Sequence, residues 1–327
     1  MSDFQEEKRL VLAFHQALDA AMPRELPGVL EKYCALDLDW VGFHPFNDLA
    51  GPQAVAATFW QPFHHAFSSP KRRQDIFFAG WNAIDDFNSL WVVSMGNLMG
   101  LFDHPWLGIK PTRKLAFLRY CEFNRIAGGR IAETALYCDI PHLMRQAGQS
   151  PFQEQRGAHL VQPGPQTHQG LLFDNAPATE GEKTLELIND MVTNLGAWQS
   201  GLPLEEELAL NWRDDMLWWG PEGIGATYTI ARYAEQHAGP FRAAFTDRSS
   251  TNHRARLAEG NFGGFFGRPN FTARHKGGFL DMPASDQLCD FRVIDIYRRE
   301  GDKLVENWIF IDLLHWLKQQ GRDPLAQ

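Results

Sequence analysis

The chain has 327 residues, 44% of them hydrophobic and 22% charged, which is enough apolar material for two domain cores without a disulfide or metal staple. A formal charge of −9 with no basic stretch argues against a nucleic-acid partner, and no apolar run reaches the roughly 18 residues that a membrane-spanning helix needs. Cys34, Cys121, Cys138 and Cys289 form no CxxC pair and no spaced ligand set, and the polar, acidic start MSDFQEEKRL is unlike a signal peptide. The expectation is a cytoplasmic protein with reduced thiols, no metal and no cofactor.

In chain order, Leu10, Val11, Phe14 and Leu18 fall at helical spacing. A short strand is predicted around 38–44, then a helix led by Gly51 and running to Phe67. Runs rich in Val, Ile, Phe, Trp and Tyr predict strands at 73–81, 90–101, 114–126 and 130–138, with Ala127-Gly128-Gly129 as a hairpin turn and a final helix starting at Asp139. Residues 151–180, with Pro151, Pro163, Gly164, Pro165, Gly170 and Pro177, read as a connector that wraps over a domain, because Pro fixes φ and removes a donor. The same series then repeats. Leu185, Ile188, Val192 and Leu195 predict a helix, for which Thr179 and Glu182 offer a capping box. A strand at 214–219, a helix from Gly223 to Ala238, strands at 251–258, 262–275, 287–299 and 303–311, and a helix from Asp312 follow.

The repetition extends to individual residues. Arg130-Ile131-Ala132-Glu133 matches Lys303-Leu304-Val305-Glu306, and Asp139-Ile140-Pro141-His142 matches Asp312-Leu313-Leu314-His315, at a constant offset of 173. Further upstream Asp39-Trp40-Val41-Gly42 resembles Leu217-Trp218-Trp219-Gly220, and Gln61-Pro62-Phe63 resembles Gly239-Pro240-Phe241, at an offset of 178. The chain therefore reads as a domain at 1–150, a connector at 151–180 and a second copy at 181–327. Helices followed by a strand meander give an α+β class: two tandem cone-shaped barrels, each a curved antiparallel sheet with helices on one face and a cavity between. The two copies are expected to pack as an internal pseudo-dimer, with a further homodimer as an open alternative.

The stretches "WWGPEGIG", "PFRAAFTDR", "GGFLDMPASD" and "GDKLVENWIFIDLLHWLKQQG", and more loosely "DWVGFHPFNDLAGPQAV" and "GGRIAETALYCDIPHLMRQAG", resemble the SnoaL-like polyketide cyclase family of the nuclear transport factor 2-like superfamily. The resemblance covers both copies and omits the connector. It implies a cone with a small-molecule pocket and ring closure by an intramolecular aldol step, with a carboxylate as general acid/base and no metal or cofactor. It also implies an Asp on the last strand, three residues before the Asp that opens the final helix. Leu136 and Ile309 stand there in this sequence. The family's His on the preceding strand aligns with Glu122 and Asp295.

Glu122 and Asp295, each within an apolar strand, are thus the candidate bases, since burial disfavours a carboxylate's charge and raises its pKa. The plain alternative is a solvent-facing charge or a partner for an arginine such as Arg119 or Arg292. Asp312, like Asp139, is a helix N-cap candidate that could also serve a pocket with His315. Trp40, Trp219 and Trp308 are candidate ligand contacts or core residues, and His275 is a candidate at the pocket mouth or a loop histidine. Glu133 and Glu306 read as cross-strand partners of arginines. The expected function is binding of a small apolar or aromatic molecule, with cofactor-free acid/base chemistry of cyclase, isomerase or dehydratase type. The alternative is a binding or sensing protein without turnover.

Overall fold

The computed structural model describes residues 4–152, 155–196 and 200–326; residues 1–3 of the N-terminal stretch and 153–154 of the connector lie outside it. The chain separates into two compact units. One comprises Met1–Pro151, Pro163–Asn175 and Asp323–Gln327; the other comprises Phe152–Gln162 and Ala176–Arg322. The segment between the copies is therefore divided, part belonging to each unit.

The first unit opens with the helix Gln5–Ala20, which buries Val11, Phe14, His15 and Leu18 along one stripe, and the helix Leu26–Tyr33. Its strands are β1 (Cys34–Gly42), β2 (Asp48–Ala50), β3 (Phe67–Trp81), β4 (Leu90–Phe102), β5 (Leu115–Ala127) and β6 (Arg130–Cys138). They form one sheet in the order β2-β1-β6-β5-β4-β3. From β3 to β6 it is the expected antiparallel meander, closed by Gly128 and Gly129 at φ +57° and +71°, which a side chain would strain. The expectation of a wholly antiparallel sheet is corrected at β1, which runs parallel to β6. A parallel neighbour requires a long crossover, here the whole meander, and local sequence does not announce such a pairing.

The second unit has β7 (Trp212–Trp219), β8 (Ala226–Tyr228), β9 (Phe245–Thr246), β10 (Ala255–Glu259), β11 (Phe262–His275), β12 (Leu288–Glu300) and β13 (Lys303–Ile311). Their order, β8-β7-β13-β12-β11-β10, repeats that of the first sheet strand for strand, again with one parallel pair, β13 with β7. The two units thus share one strand order. β9 is an extra piece paired to β11.

Two helix boundaries differ from expectation. The helix at Ala178–Gly196 starts before Thr179, so Thr179 lies inside it. The helical stretch predicted from Gly223 instead starts at Ile230, after β8. Its cap is Thr229 at φ 69° and ψ 152°, matching Gly51 at φ 80° and ψ 153° in the first unit. Glycine tolerates that conformation; Thr229 holds it while its hydroxyl accepts a hydrogen bond from the Arg232 amide at 3.3 Å. Both helices then carry a π-turn at matching places, Ala56–Trp60 and Ala234–Ala238. Such turns often mark functional positions.

Asp139 and Asp312 cap the last helices, each accepting from an amide three residues on, at 3.2 Å from His142 and 3.1 Å from His315. Glu133 and Glu306 pair across strands with Arg125 at 3.3 Å and Arg298 at 2.5 Å.

Candidate functional site

The equivalent carboxylates Glu122 and Asp295 stand in different surroundings. Glu122 is buried in the first unit, with its Oε2 2.5 Å from His15 Nε2 and 3.5 Å from an Arg72 nitrogen. Gln74 donates to His15 Nδ1 at 3.2 Å and to the Ser94 hydroxyl at 3.1 Å, and Ser94 bonds Tyr120 at 2.7 Å. With Nδ1 accepting, His15 is neutral and offers its Nε2–H to Glu122. Burial, then the Arg72 charge, lowers the His15 pKa and favours this state. The Arg72 guanidinium lies over the rings of Tyr120 at 4.5 Å and Trp60 at 5.8 Å. Burial opposes ionisation of Glu122, but His15 and Arg72 outweigh it and hold the carboxyl down at about 2. The expectation that burial raises this pKa is therefore corrected. Glu122 is the counter-ion of a buried cation, and that cation is Arg72 on β3, neither Arg119 nor Arg292.

Asp295 borders a cavity of ≈ 160 Å³ in the second unit. Side chains alternate along a strand, so Phe291, Val293, Asp295 and Tyr297 of β12 share one face with Asn307, Ile309 and Ile311 of β13, and this face is the cavity floor. Met191, Val192 and Leu195 of the helix Ala178–Gly196, with Tyr233, His237 and Phe241 of the stretch 230–244, supply the opposite wall. Asp295 accepts from Asn307 Nδ2 at 2.9 Å and from the Tyr297 hydroxyl. Burial, then the Asp295 charge, pushes the Tyr297 pKa well up, so its hydroxyl stays protonated. Burial alone pushes the His237 imidazole down to about 3, leaving it neutral; it stacks on Trp218 with centroids 4.3 Å apart. Arg248 lies over Phe271 at 4.4 Å and donates to the carbonyls of Gly196 and Ser249.

Residue exchanges between the units accompany the difference between Glu122, held in an ion-paired network, and Asp295, beside a cavity. At the offset of 178 that superposes the two π-turns, Trp60 becomes Ala238, which lines the cavity. On the first helix of each unit, the spacing of Val11, His15 and Leu18 recurs as Ile188, Val192 and Leu195, so the His15 position holds Val192. Where β3 runs unbroken through Arg72, the second unit has a loop between β9 and β10, and Thr251 of that loop borders the cavity.

The other candidates lie elsewhere. Asp312 is the cap described above and also meets Arg292 at 3.3 Å; neither it nor Trp308 borders the cavity. Trp308 lies between Asn307 and Ile309 on β13, so its side chain leaves by the other face. The same parity separates Trp219 from Trp218: Trp218 lines the cavity, while Trp219 lines a groove with Leu160, Tyr228 and Arg232. Trp40 is packed against Phe59 and Phe46 at 5.7 and 6.3 Å in the first core. His275 is fully buried, with Nδ1 3.1 Å from Gln320 Oε1 and its ring edge-on to Trp316. Tyr233, His237 and Phe241 were not among the candidates, although their spacing of four residues announces a single helix face. Among the described residues, no group of three or more His, Cys, Asp or Glu side chains converges as a metal site would. No described helix is long and apolar enough to cross a membrane.

Residues 231–320, from the π-turn helix to the final helix, match the family model described as SnoaL-like polyketide cyclase. The match lies wholly within the second unit. Similar solved structures include a SnoaL-like protein from Jannaschia sp. CCS1, 16% identical over 46% of this chain and 97% of its own, with a TM-score of 0.37. An NTF2-like protein from Burkholderia xenovorans LB400 is 14% identical over 42% of this chain and 96% of its own, with a TM-score of 0.34. TsrD from Streptomyces laurentii is 19% identical over 43% and 96%, also at 0.34. No curated protein matches. The SnoaL-like match contains Asp295, His237 and Ile309, and the first unit shares its strand order.

Proposed function

We propose that the SnoaL-like second unit binds a small ring compound carrying a carbonyl group, and that Asp295 removes the proton alpha to that carbonyl without a cofactor. The observation that carries this reading is the pairing of Asp295 with Ile309 across β12 and β13. The family resemblance places a carboxylate at Ile309. Side chains directly opposite in an antiparallel pair stand roughly 5 Å apart, so Asp295 presents its carboxylate to the same part of the cavity from the neighbouring strand. The size fits one ring: an apolar cavity of about 150 Å³ accepts benzene. Aromatic and aliphatic walls supply affinity, and the few polar groups set orientation.

In this chemistry the carboxylate takes the Cα–H proton, the C–H electrons form a C=C bond, and the carbonyl electrons move to oxygen. Return of the proton to another carbon completes an isomerisation; breaking a beta C–O bond, with the proton leaving on that oxygen as water, completes a dehydration; and attack of the alpha carbon on a second carbonyl, whose electron pair moves to oxygen and takes the proton, completes a ring closure. Acetophenone in D₂O tests the step, because methyl-proton exchange reads out proton removal alone. The wild type is expected to exchange, and Asp295→Asn to lose about 10²–10⁴-fold, the usual contribution of a positioned base. An unchanged rate in Asp295→Asn overturns the assignment. Binding without turnover is the second reading, favoured by Leu136 and Ile309 standing where the family carries its carboxylate; acetophenone would then bind and keep its protons.

A further inference from the structure

A carboxylate is a weak base for a proton next to a carbonyl. It succeeds only where the charge developing on oxygen meets a placed hydrogen-bond donor. Several donors around the cavity are engaged, while the Trp212 indole N–H has no partner among the described residues. Asn307 and Tyr297 serve Asp295, Arg242 pairs with Glu207, and Arg248 serves the carbonyls of Gly196 and Ser249. The imidazole of His237 makes no hydrogen bond to any described residue, although the side chain is buried and held flat against Trp218. It also borders a second, smaller cavity of ≈ 50 Å³ beside the first, so it stands at the junction of the two.

The duplication supplies a control. At the offset of 178, His237 corresponds to Phe59 of the first unit, which packs on Trp40 as His237 packs on Trp218. An apolar ring therefore satisfies the packing of this π-turn. The ring nitrogens of His237 add nothing that the scaffold requires.

We infer that His237 is a catalytic residue of the second unit, donating its ring N–H to the carbonyl oxygen of a ring-bearing ketone or aldehyde while Asp295 takes the alpha proton. This rests on the reading of Asp295 as the base. As the C–H bond breaks, its electrons form the C=C bond and the carbonyl pair moves to oxygen, where the negative charge accepts the His237 hydrogen bond. The proton held by Asp295 exchanges with solvent, and Asp295 then delivers a deuteron from D₂O to carbon, so the exchange is balanced with no further reactant. A neutral imidazole can donate in this way without competing for the alpha proton.

The test uses the full chain with acetophenone labelled with ¹³C at the carbonyl, read by infrared difference spectroscopy and by methyl-proton exchange in D₂O. In the wild type the carbonyl band is expected to fall below its position in buffer, as a hydrogen-bonded carbonyl does. His237→Phe, the residue of the first unit, is expected to keep folding and ligand binding, return the band toward the position of a carbonyl without a donor, and slow exchange by about 10²–10³-fold. His237→Gln, which keeps a donor, should retain part of both effects. An unshifted wild-type band, an unchanged band and rate in His237→Phe, or loss of the shift in Tyr233→Phe but not in His237→Phe each overturns the role of His237. A wild type whose bound band is shifted by His237 but whose methyl protons do not exchange overturns instead the reading of Asp295 as a base, leaving His237 as the carbonyl-binding group.

Discussion

Trp60 stands where the second unit has the cavity-lining Ala238, and truncating it should show what its bulk contributes. Its indole is buried, edge-on to Phe59 at 5.0 Å and beneath the Arg72 guanidinium. Trp60→Ala installs the residue of the second unit, Ala238, and should open a space comparable to the ≈ 160 Å³ found there. At about 24 cal/mol per Å³ of residual cavity that is roughly 4 kcal/mol, within the about 3–5 kcal/mol typical of Trp truncation. Hydrogen-exchange mass spectrometry resolves the units, so the loss should be confined to peptides of β3 to β6, with β10 to β13 unchanged. Added indole should restore protection by filling the hole, since a ligand of the native state stabilises it. The reciprocal Ala238→Trp should abolish acetophenone binding. Undiminished protection in β3 to β6, or acetophenone binding retained in Ala238→Trp, would refute the argument that this one position separates the two interiors.

Glu122→Gln should destabilise the first unit by about 3–5 kcal/mol, because Arg72 is left buried without its counter-ion; its measurement is the shift in urea midpoint, with proton exchange at Asp295 unaffected. Stability should also fall on acidification. A carboxyl held at about 2 when folded and near 4.5 otherwise stabilises fully above pH 4.5, and that contribution, roughly 3 kcal/mol at 1.36 kcal/mol per pH unit, is lost between 4.5 and 2. His15, whose pKa is lowered, acts in the same sense below its ordinary 6.5, and Glu122→Gln should flatten the carboxylate part of the urea-midpoint profile. Asp312→Ala should cost about 1 kcal/mol through the lost cap and leave acetophenone binding intact. Lost exchange at undiminished stability would make Asp312 catalytic after all.

The strands were legible because residues such as Phe117 to Phe123 and Arg292 to Ile296 alternate or run apolar between Gly and Pro punctuation, which needs no tertiary knowledge. The parallel pairing of β1 with β6 was not, since nothing near Trp40 specifies a partner almost a hundred residues away. Tryptophan assignments failed by one residue. Trp218 lines the cavity and Trp219 does not, and Asn307 does where Trp308 does not. Both faces of these strands are buried, so apolarity cannot say which residues of the alternation face inward, and a slip of one position inverts the answer.

Glu122 and Asp295 were equally good candidates in sequence, and nothing within several residues of either separates them. Their difference is made at a distance, by His15 and Arg72 in the first unit and by Asn307 and Tyr297 in the second. A buried carboxylate takes its chemistry from what it is paired with. Glu122 has a full cationic partner that must stay neutralised, and accepting a proton would strand Arg72. The exchanges Phe59 to His237 and Trp60 to Ala238 sit side by side in one π-turn, one adding a hydrogen-bonding ring and the other removing bulk. Copying those two changes into the first unit would still leave Arg72 over Tyr120 with Glu122 as its counter-ion. The turn can open space and place a donor, but only the loss of the buried cation would free the carboxylate to act.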